Sequence, residues 1–224
     1  MSAHAHTAYR RGAEVARPDL QQVLITDRMS ERPARVPDHA AENLALRALA
    51  GELANPKGDI LKQLCELAMQ LCHAHSAGIS LVEFEGDEKV FRWHAVAGRW
   101  AGYVGGCLPR NASPCGVVID LNATQLMKRP AQVFPLVALA EPELVEALLA
   151  PFLILGEPVG TVWVLSHDDT RKFDSEDARI VESLASFAAA AFTLRNWLGR
   201  ATELNDELKR SNARLNRLVE RGTT

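Results

Sequence analysis

The sequence predicts an α+β fold, in which an antiparallel sheet is followed by one long C-terminal helix. Residues 77–98 and 147–167 each alternate or concentrate apolar residues around a short polar turn, which is typical of β-hairpins. Residues 60–75 and the region from 174 onward instead place apolar residues at helical spacing. Strands that pair through tight turns are antiparallel, so we expect an antiparallel sheet rather than one built from parallel strands and crossover helices.

The composition bounds the classes of function. The chain has 224 residues, of which 47% are hydrophobic, a net charge of −3 and a pI of about 6.2. This length favours one domain with extensions. The near-neutral charge gives no sign of a nucleic-acid partner. No apolar run is long enough for membrane insertion, and no secretory leader precedes the four cysteines, so we expect a cytoplasmic protein with free thiols.

The N-terminal region divides into a tail and two helices. Residues 1–38 are rich in Ala, Arg, His and Pro, and we expect this tail to be disordered. Asp38 and Asp59 are predicted N-caps for two helices, separated by a break at residues 55–58. We assign residues 39–195 to one folded domain and 196–224 to a helical extension.

The middle of the chain joins the two hairpins. The first hairpin turns at residues 85–88, and the second, apolar on both faces, turns at Glu157-Pro158. Between the hairpins, the predicted elements are a strand near 103–107, a helix over 114–121 capped by Ser113 and a short helix starting at Glu141-Pro142-Glu143.

The C-terminal helix starts at Asp174 and carries two overlapping heptad seams. The first seam is Leu194, Leu198, Ala201, Asn205, Leu208, Asn212 and Leu215. The second seam shares Leu194, Ala201, Leu208 and Leu215 and adds Trp197, Leu204, Ser211 and Leu218. Asn at inner positions favours a parallel pair of helices, and a helix extending ~30 Å beyond the sheet needs a partner. We therefore predict a homodimeric coiled coil, with Gly199 as its weak point.

Four segments carry a resemblance to a known family of signalling proteins. DILKQLCELAMQLCHAHSAGISLVE and EPVGTVWVLSHDDTRKFDSEDARIVESLASFAAAAF resemble a GAF domain, and GGCLPRNASPCGVVIDLNATQLMKRPAQVFP is similar to GAF sensors upstream of bacterial histidine kinases. ELNDELKRSNARLN resembles the linker before a kinase dimerisation domain. The resemblance spans about 40–221 and implies a central antiparallel sheet of five or six strands with helices on both faces. Helices 60–75 and 174–195 would share one face, and the variable middle would enclose a pocket on the other.

The expected pocket combines apolar walls with a few polar groups, as small-ligand sites do. Its candidate ligand-binding residues are Trp93, Arg110, Ser113, Cys115, Asp120, Phe134 and Trp163. The same aromatic residues would equally complete a core and leave no pocket.

Cys115 lies in the first turn of the helix that Ser113 caps. Free amides there, with Arg110 nearby, favour anions and predict a lowered pKa for the Cys115 thiol. An alternative function is therefore a GAF-type redox enzyme, similar to free methionine-sulfoxide reductases, or a thiol sensor that uses Cys115 and Cys107. Both cysteines could also simply pack in the interior.

The sequence requires no cofactor. Bilin-binding relatives carry His beside the attaching cysteine, whereas Gly116 follows Cys115 here. Cyclic-nucleotide-binding relatives carry an N-K-F-D-E motif, and residues 171–176, R-K-F-D-S-E, resemble it only in part. His94 stands alone on its strand, so haem and metal are not expected either.

The function expected from the resemblance is that of a regulatory sensor in a two-component system. It would bind a small molecule or partner and signal through its paired helix, with a histidine kinase or response regulator as a further partner. No kinase catalytic boxes follow Leu218, so we do not expect this chain to phosphorylate. It could be a stand-alone regulator or part of a longer kinase.

Overall fold

The computed structural model describes residues 19–55 and 58–222, with side chains described as far as residue 214. The helices are α1 His39–Leu53, α2 Ile60–Leu71, α3 Pro114–Leu121 and α4 Ser175–Gly222. The strands are β1 Ser76–Glu85, β2 Glu88–Gly98, β3 Cys107–Pro109, β4 Gln125–Lys128, β5 Glu146–Ile154 and β6 Glu157–Ser166.

The six strands form one antiparallel sheet in the order β3-β2-β1-β6-β5-β4. Both predicted hairpins are present, as β1–β2 and β5–β6, and they meet at the centre of the sheet where β1 pairs with β6. The predicted α+β class and the antiparallel sheet are therefore confirmed.

Helices cover both faces of the sheet, also as predicted. On one face α2 and the first part of α4 bury a core that includes Leu64, Ile79, Val164 and Leu184. On the other face α3 and the connecting segments bury a second core, which is rich in aromatic residues. Each face of the central strands is thus desolvated, which explains why β6 is apolar on both sides.

The connections differ from the prediction in two places. No helix starts at Glu141. The chain bends at residues 141–142 and then leads irregularly into β5, while the side chains of Trp100 and Tyr103 bind the backbone of Pro142 and Glu141. The strand expected near 103–107 is a 3₁₀ turn over Ala101–Tyr103 followed by β3.

The N-terminal tail also differs from the prediction within its described part. Residues 1–18 lie outside the described residues, but 19–38 are here called the N-terminal strap, and between Val23 and Arg35 this strap contacts β4, β5 and α4. Val23 is fully buried, and its carbonyl oxygen accepts a 2.8 Å hydrogen bond from Lys128 N. Ile25 N donates to Leu126 O at 2.9 Å. The strap therefore covers the outer edge of β4, which would otherwise present unpaired backbone groups.

Ion pairs hold the second half of the strap. Arg32 Nη1 and Nη2 donate to the two carboxylate oxygens of buried Glu146 at 2.7 and 2.9 Å. Arg35 Nη2 lies 2.8 Å from Asp177 Oδ1, and Arg171 pairs with the other oxygen of the same carboxylate. Bidentate and charge-assisted contacts of this kind fix geometry, so the strap is part of the domain.

Helix α4 begins where the sequence indicates. Asp174 Oδ1 accepts from the amides of Glu176 and Asp177 at 2.9 and 3.0 Å, which is the expected N-cap. The helix packs on the sheet as far as Phe192 and then continues without a break through Gly199. Among the described residues, no helix is both long and apolar enough to cross a lipid bilayer.

Candidate functional site

The site expected from the sequence lies on the face of the sheet that α3 covers. The pairing of β1 with β6 places Gly78 opposite Trp163 and Ser80 opposite Thr161. Trp93 reaches the same core from β2. The two central strands therefore supply the floor of the site, and their register fixes which side chains meet there.

Four aromatic rings, Trp93, Trp100, Tyr103 and Trp163, form what we call the aromatic cluster. The ring centroids of Trp93 and Trp163 are 6.2 Å apart, and those of Trp100 and Trp163 are 6.3 Å apart. Trp100 also stacks on Trp93 at 5.8 Å. These separations are those of favourable aromatic pairs, so each ring occupies space that a ligand would need.

The predicted pocket walls are consequently core residues in this structure. Trp93, Phe134 and Trp163 are all buried, with Phe134 only 1% exposed. Of the two interpretations left open by the sequence, the completed core describes this conformation. A ligand bound on this face would have to displace at least one ring.

Three uncharged polar side chains, Ser80, Cys115 and Thr161, lie beneath the aromatic cluster; we call them the polar trio. Ser80 Oγ accepts a 2.8 Å hydrogen bond from Trp163 Nε1. Thr161 Oγ1 is buried and makes no well-oriented hydrogen bond, although its hydroxyl interacts with the Cys115 thiol. A buried hydroxyl without a full partner is costly, so Thr161 has hydrogen-bonding capacity to spare.

Cys115 does not have the lowered pKa that its place in the first turn of α3 predicts. Complete burial raises the pKa of its thiol, and the Thr161 and Ser80 hydroxyls only partly oppose that effect. Desolvation disfavours the thiolate more than the amides at the helix start favour it. The prediction of a reactive Cys115 is therefore corrected for this conformation.

Cys107 lies apart, on the edge strand β3. Burial first, and then the hydrogen bond to Glu85, raise the pKa of its thiol. Its Sγ atom lies 3.2 Å from Glu85 Oε2, whereas the thiol of Cys115 interacts with the hydroxyls of Thr161 and Ser80. All four cysteines are free, and neither Cys107 nor Cys115 has the depressed pKa typical of a redox-active thiol.

The remaining predicted ligand-binding residues have other partners. Ser113 Oγ accepts from Gly116 N at 3.2 Å and so caps α3. Arg110 Nη2 donates to Asp120 Oδ1 at 2.6 Å, at the protein surface. The amide and the guanidinium expected to hold an anion are thus both engaged within the protein.

A short segment, residues 140–145, covers the aromatic cluster and is called the covering segment below. Trp100 Nε1 donates to Pro142 O at 2.9 Å, and Glu141 N donates to Tyr103 Oη at 2.9 Å. Two rings of the cluster therefore hold the covering segment directly, so a displacement of either ring would move this segment.

His167 completes this attachment, although its position directly after an apolar strand predicts only a turn. Its Nδ1 lies 2.9 Å from Glu143 O, and because a carbonyl only accepts, Nδ1 carries the proton. Nε2 then accepts from Ser76 Oγ at 2.8 Å, while Ser76 Oγ itself accepts from Trp100 N. Burial, the largest cause, lowers the pKa of His167, which favours this neutral tautomer.

Metal binding finds no support in the described residues, where no group of three or more His, Cys, Asp or Glu side chains could hold an ion. His94, which the sequence singled out as a lone candidate ligand, contacts Glu83 Oε1 at 2.7 Å near the surface.

Comparison with known proteins places this arrangement in context. A family model of the GAF domain matches residues 54–193. No curated protein sequence matches the chain significantly. The GAF domain of a phosphoenolpyruvate-protein phosphotransferase from Coxiella burnetii is similar, with a TM-score of 0.59 and 17% identity over 73% of this chain and 99% of that chain.

Two further solved structures show the breadth of the fold. The second GAF domain of DevS from Mycobacterium smegmatis is similar with a TM-score of 0.51 and 20% identity, over 63% of this chain and 96% of that one. A free methionine-R-sulfoxide reductase from Neisseria meningitidis, in complex with its substrate, has a TM-score of 0.55 and 17% identity, over 72% and 94% of the two chains. At such identities the likeness concerns the fold alone, and the residues of the site must decide the function.

Proposed function

Because the chain belongs to the GAF domain family, we propose that it is a regulatory sensor module of bacterial signal transduction. It binds a small molecule or a partner at the aromatic cluster and transmits the binding through a dimeric C-terminal helix. One observation carries this proposal: α4 is a single helix whose first part belongs to the sheet's core and whose side chains over residues 196–214 are exposed. A rigid element shared by two regions is what a transmitter requires.

The sensing surface suits a flat ligand with little charge. The four rings of the aromatic cluster offer faces for stacking, and the polar trio offers hydroxyl groups without a charge. The charged residues Arg110 and Asp120 neutralise each other at the surface. Because the cluster fills its own space, we expect the ligand to replace a ring and to release the covering segment.

The site and the helix are connected through the second hairpin. Thr161 and Trp163 lie on β6, whose partner strand β5 packs against α4, for instance through Phe152 and Phe192. A ring displaced from the cluster would therefore move strands that contact the helix. A dimeric output also suits a histidine kinase or response regulator as the cytoplasmic partner, within a two-component system.

Intrinsic fluorescence provides the first test. The chain has four tryptophans, and three of them lie in the aromatic cluster, while Trp197 is exposed on α4. In a Trp197→Phe variant, every tryptophan signal reports on the site. We expect a bound ligand, found by native mass spectrometry of protein from its own host and then titrated, to shift this emission.

A conservative substitution distinguishes binding at the aromatic cluster from effects on the protein as a whole. Thr161→Val removes a hydroxyl that makes no well-oriented hydrogen bond, so the fold should persist while ligand affinity falls about fivefold to tenfold. Thr202→Val, on the exposed part of α4, is the matched control and should leave affinity unchanged. Unchanged emission with a bound ligand, or equal effects of the two variants, would contradict binding at this site.

The redox alternative receives no support from the site. A thiol-based reductase needs an accessible thiolate, whereas burial raises the pKa of Cys115 and contributes most to the raised pKa of Cys107. The sensor role is therefore the function that the geometry favours.

A further inference from the structure

We propose that a second copy of this chain docks into the groove between the edge of β5 and helix α4. The β5–β6 hairpin of each sensor domain then forms part of the dimer interface. This inference rests on the dimer of the proposed function and adds which surface and which helix register the dimer uses.

The groove has a volume of about 480 Å³ and is lined mainly by apolar side chains. Its principal walls are Pro151, Leu153, Leu155, Ala190, Leu194 and Trp197. It is open because β4 pairs with β5 only as far as Leu149, so no other described strand covers the edge beyond that point. Pro151 at this edge presents no N–H group, which protects the edge from indiscriminate strand pairing and leaves its apolar surface free.

The tip of the hairpin exposes an unusual side chain. Leu155 is 95% exposed and adopts a positive φ of 53°. A left-handed leucine costs about 1–2 kcal/mol, and exposing it forgoes the gain from burying an apolar side chain. Trp197, on the opposite wall of the groove, is 66% exposed. Large apolar groups that face solvent on both walls indicate a surface that is covered in the working protein.

Only one of the two predicted heptad seams runs into this groove. The second seam extends back through Ala190, which is exposed, so that the described free positions are Ala190, Leu194, Trp197, Ala201, Leu204, Leu208 and Ser211. The first seam extends back to Ala191, which is only 1% exposed because its own domain already covers it. The second seam is therefore available along its whole described length, and its first three members line the groove.

The spacing of this seam identifies its occupant as another helix. Its positions alternate strictly by four and three residues, and none is charged, while charged residues such as Arg200 and Glu207 flank it. A sustained repeat of 3.5 residues is satisfied by a helix that supercoils with it. Among the described residues, α1 and α2 are already packed in the domain core. A second copy presents the same seam in the same register, which is the simplest complement.

Parallel pairing brings the hairpins into contact with the partner. The groove lies at the N-terminal end of the exposed seam, so parallel helices place the two domains side by side. Each Leu155 then lies near the partner helix. Since Pro151 on the groove wall pairs with Thr161 of the polar trio, the ligand site lies one strand away from the interface. A displacement at Thr161 thus reaches the partner through the sheet as well as along α4.

Cysteine cross-linking tests the register. With Cys107→Ser as background, single variants at the second seam, Leu204→Cys and Ser211→Cys, are compared with their neighbours Asn205→Cys and Asn212→Cys. We expect disulfide formation between chains under mild oxidation to be at least tenfold faster at 204 and 211. Faster cross-linking at 205 and 212 overturns the register.

The hairpin is tested by Leu155→Glu, with Leu139→Glu as the control because Leu139 is 64% exposed outside the groove. Analytical ultracentrifugation should show dimer dissociation constants raised at least tenfold by Leu155→Glu and unchanged by Leu139→Glu, with unaltered circular dichroism. A dimer insensitive to Leu155→Glu overturns this inference and leaves the proposed function standing. If the unmodified chain is monomeric, both this inference and the dimeric sensor are overturned. If native mass spectrometry instead finds a different helical protein bound to the second seam, only the docking of a second copy is overturned.

Discussion

The indole ring of Trp163 lies directly over Gly78, its cross-strand neighbour on β1. The nearest ring atom is 2.2 Å from the position that a Cβ atom would take at residue 78. Only glycine therefore lets the ring lie flat against the centre of the sheet, where its Nε1 donates to Ser80. The contact joins the floor of the site to the aromatic cluster.

Replacing Gly78 by alanine should disturb the site more than its small size suggests. The methyl group would force the Trp163 ring to shift within a packed core, at a cost of about 1–3 kcal/mol in the free energy of unfolding. Urea unfolding and the tryptophan emission of the Trp197→Phe background measure the two effects. Gly51→Ala, on α1 with nothing within 4 Å, is the control and should not reduce stability. Unchanged emission from Gly78→Ala would contradict the stacked arrangement.

The fold was largely predictable because its signals are local. Short stretches of sequence are enough to recognise the polar turns of both hairpins and the helix caps Asp59, Ser113 and Asp174. The N-terminal strap was not predictable in the same way. The burial of Val23 depends on hydrogen bonds to β4, more than 100 positions later along the chain. The single short apolar patch around Val23 is too weak a signal to predict that contact.

The site was less predictable because it depends on burial. The sequence identified Trp93, Cys115, Phe134 and Trp163, which do meet on one face of the sheet. Whether they enclose a cavity or fill it depends on side-chain positions that no periodicity encodes. The thiol of Cys115 shows the same limit, because the helix start favours a thiolate and only the fold reveals the desolvation that opposes it.

His167 should make the domain less stable at mildly acidic pH. Burial holds the pKa of His167 below its ordinary value of 6.5, and His75 and Arg99 act in the same direction. The hydrogen bond to the Glu143 carbonyl and the charge of Asp168 oppose this shift. The unfolded chain therefore binds the proton more readily, so the contribution of neutral His167 is present above about pH 6.5 and is lost as pH falls. Urea midpoints measured from pH 7.5 to 5 should fall, and His167→Gln should flatten that fall. His73→Asn, at an exposed histidine just after α2, is the control; equal slopes for both variants would contradict this assignment.

Arg32 should contribute substantially to holding the N-terminal strap. Its guanidinium pairs with Glu146, which is buried, and the hydrogen bond to that carboxylate raises the pKa of Arg32. Arg32→Met leaves the carboxylate without this partner, and we expect a loss of about 1–3 kcal/mol in stability with faster proteolysis of the strap. Arg28→Met, at an exposed position of the same strap, should change neither. Equal proteolysis of the two variants would show that the ion pair does not anchor the strap.

The four thiols should differ sharply in reactivity. Cys65, Cys72 and Cys115 are buried and Cys107 is half-buried, and the pKa of each thiol is raised, mainly by burial. We expect one slowly modified thiol per native chain at pH 8, abolished by Cys107→Ser, and four after denaturation. The Cys107→Ser, Cys115→Ser double variant should match the unmodified chain in a methionine-sulfoxide reduction assay. Rapid labelling of Cys115, or a reductase activity lost in the double variant, would restore the redox alternative.

Asn205 and Asn212 offer a way to move the dimer from one seam to the other. They occupy inner positions of the first seam but flank the second, so replacing both with isoleucine strengthens only the first. We expect Asn205→Ile, Asn212→Ile to shift interchain cross-linking from a cysteine at Trp197 towards one at Leu198, measured in the Cys107→Ser background. The matched change Glu203→Ile, Arg210→Ile adds the same side chains outside both seams and should leave the pattern as it is. A register that can be moved in this way, and that changes the emission of the aromatic cluster as it moves, is what a helix-transmitted signal requires, because coupling between two sites acts in both directions. Cross-linking that stays at Trp197 in the isoleucine variant would mean that the groove holds the seam too firmly to switch, and signalling by register change would have to be abandoned.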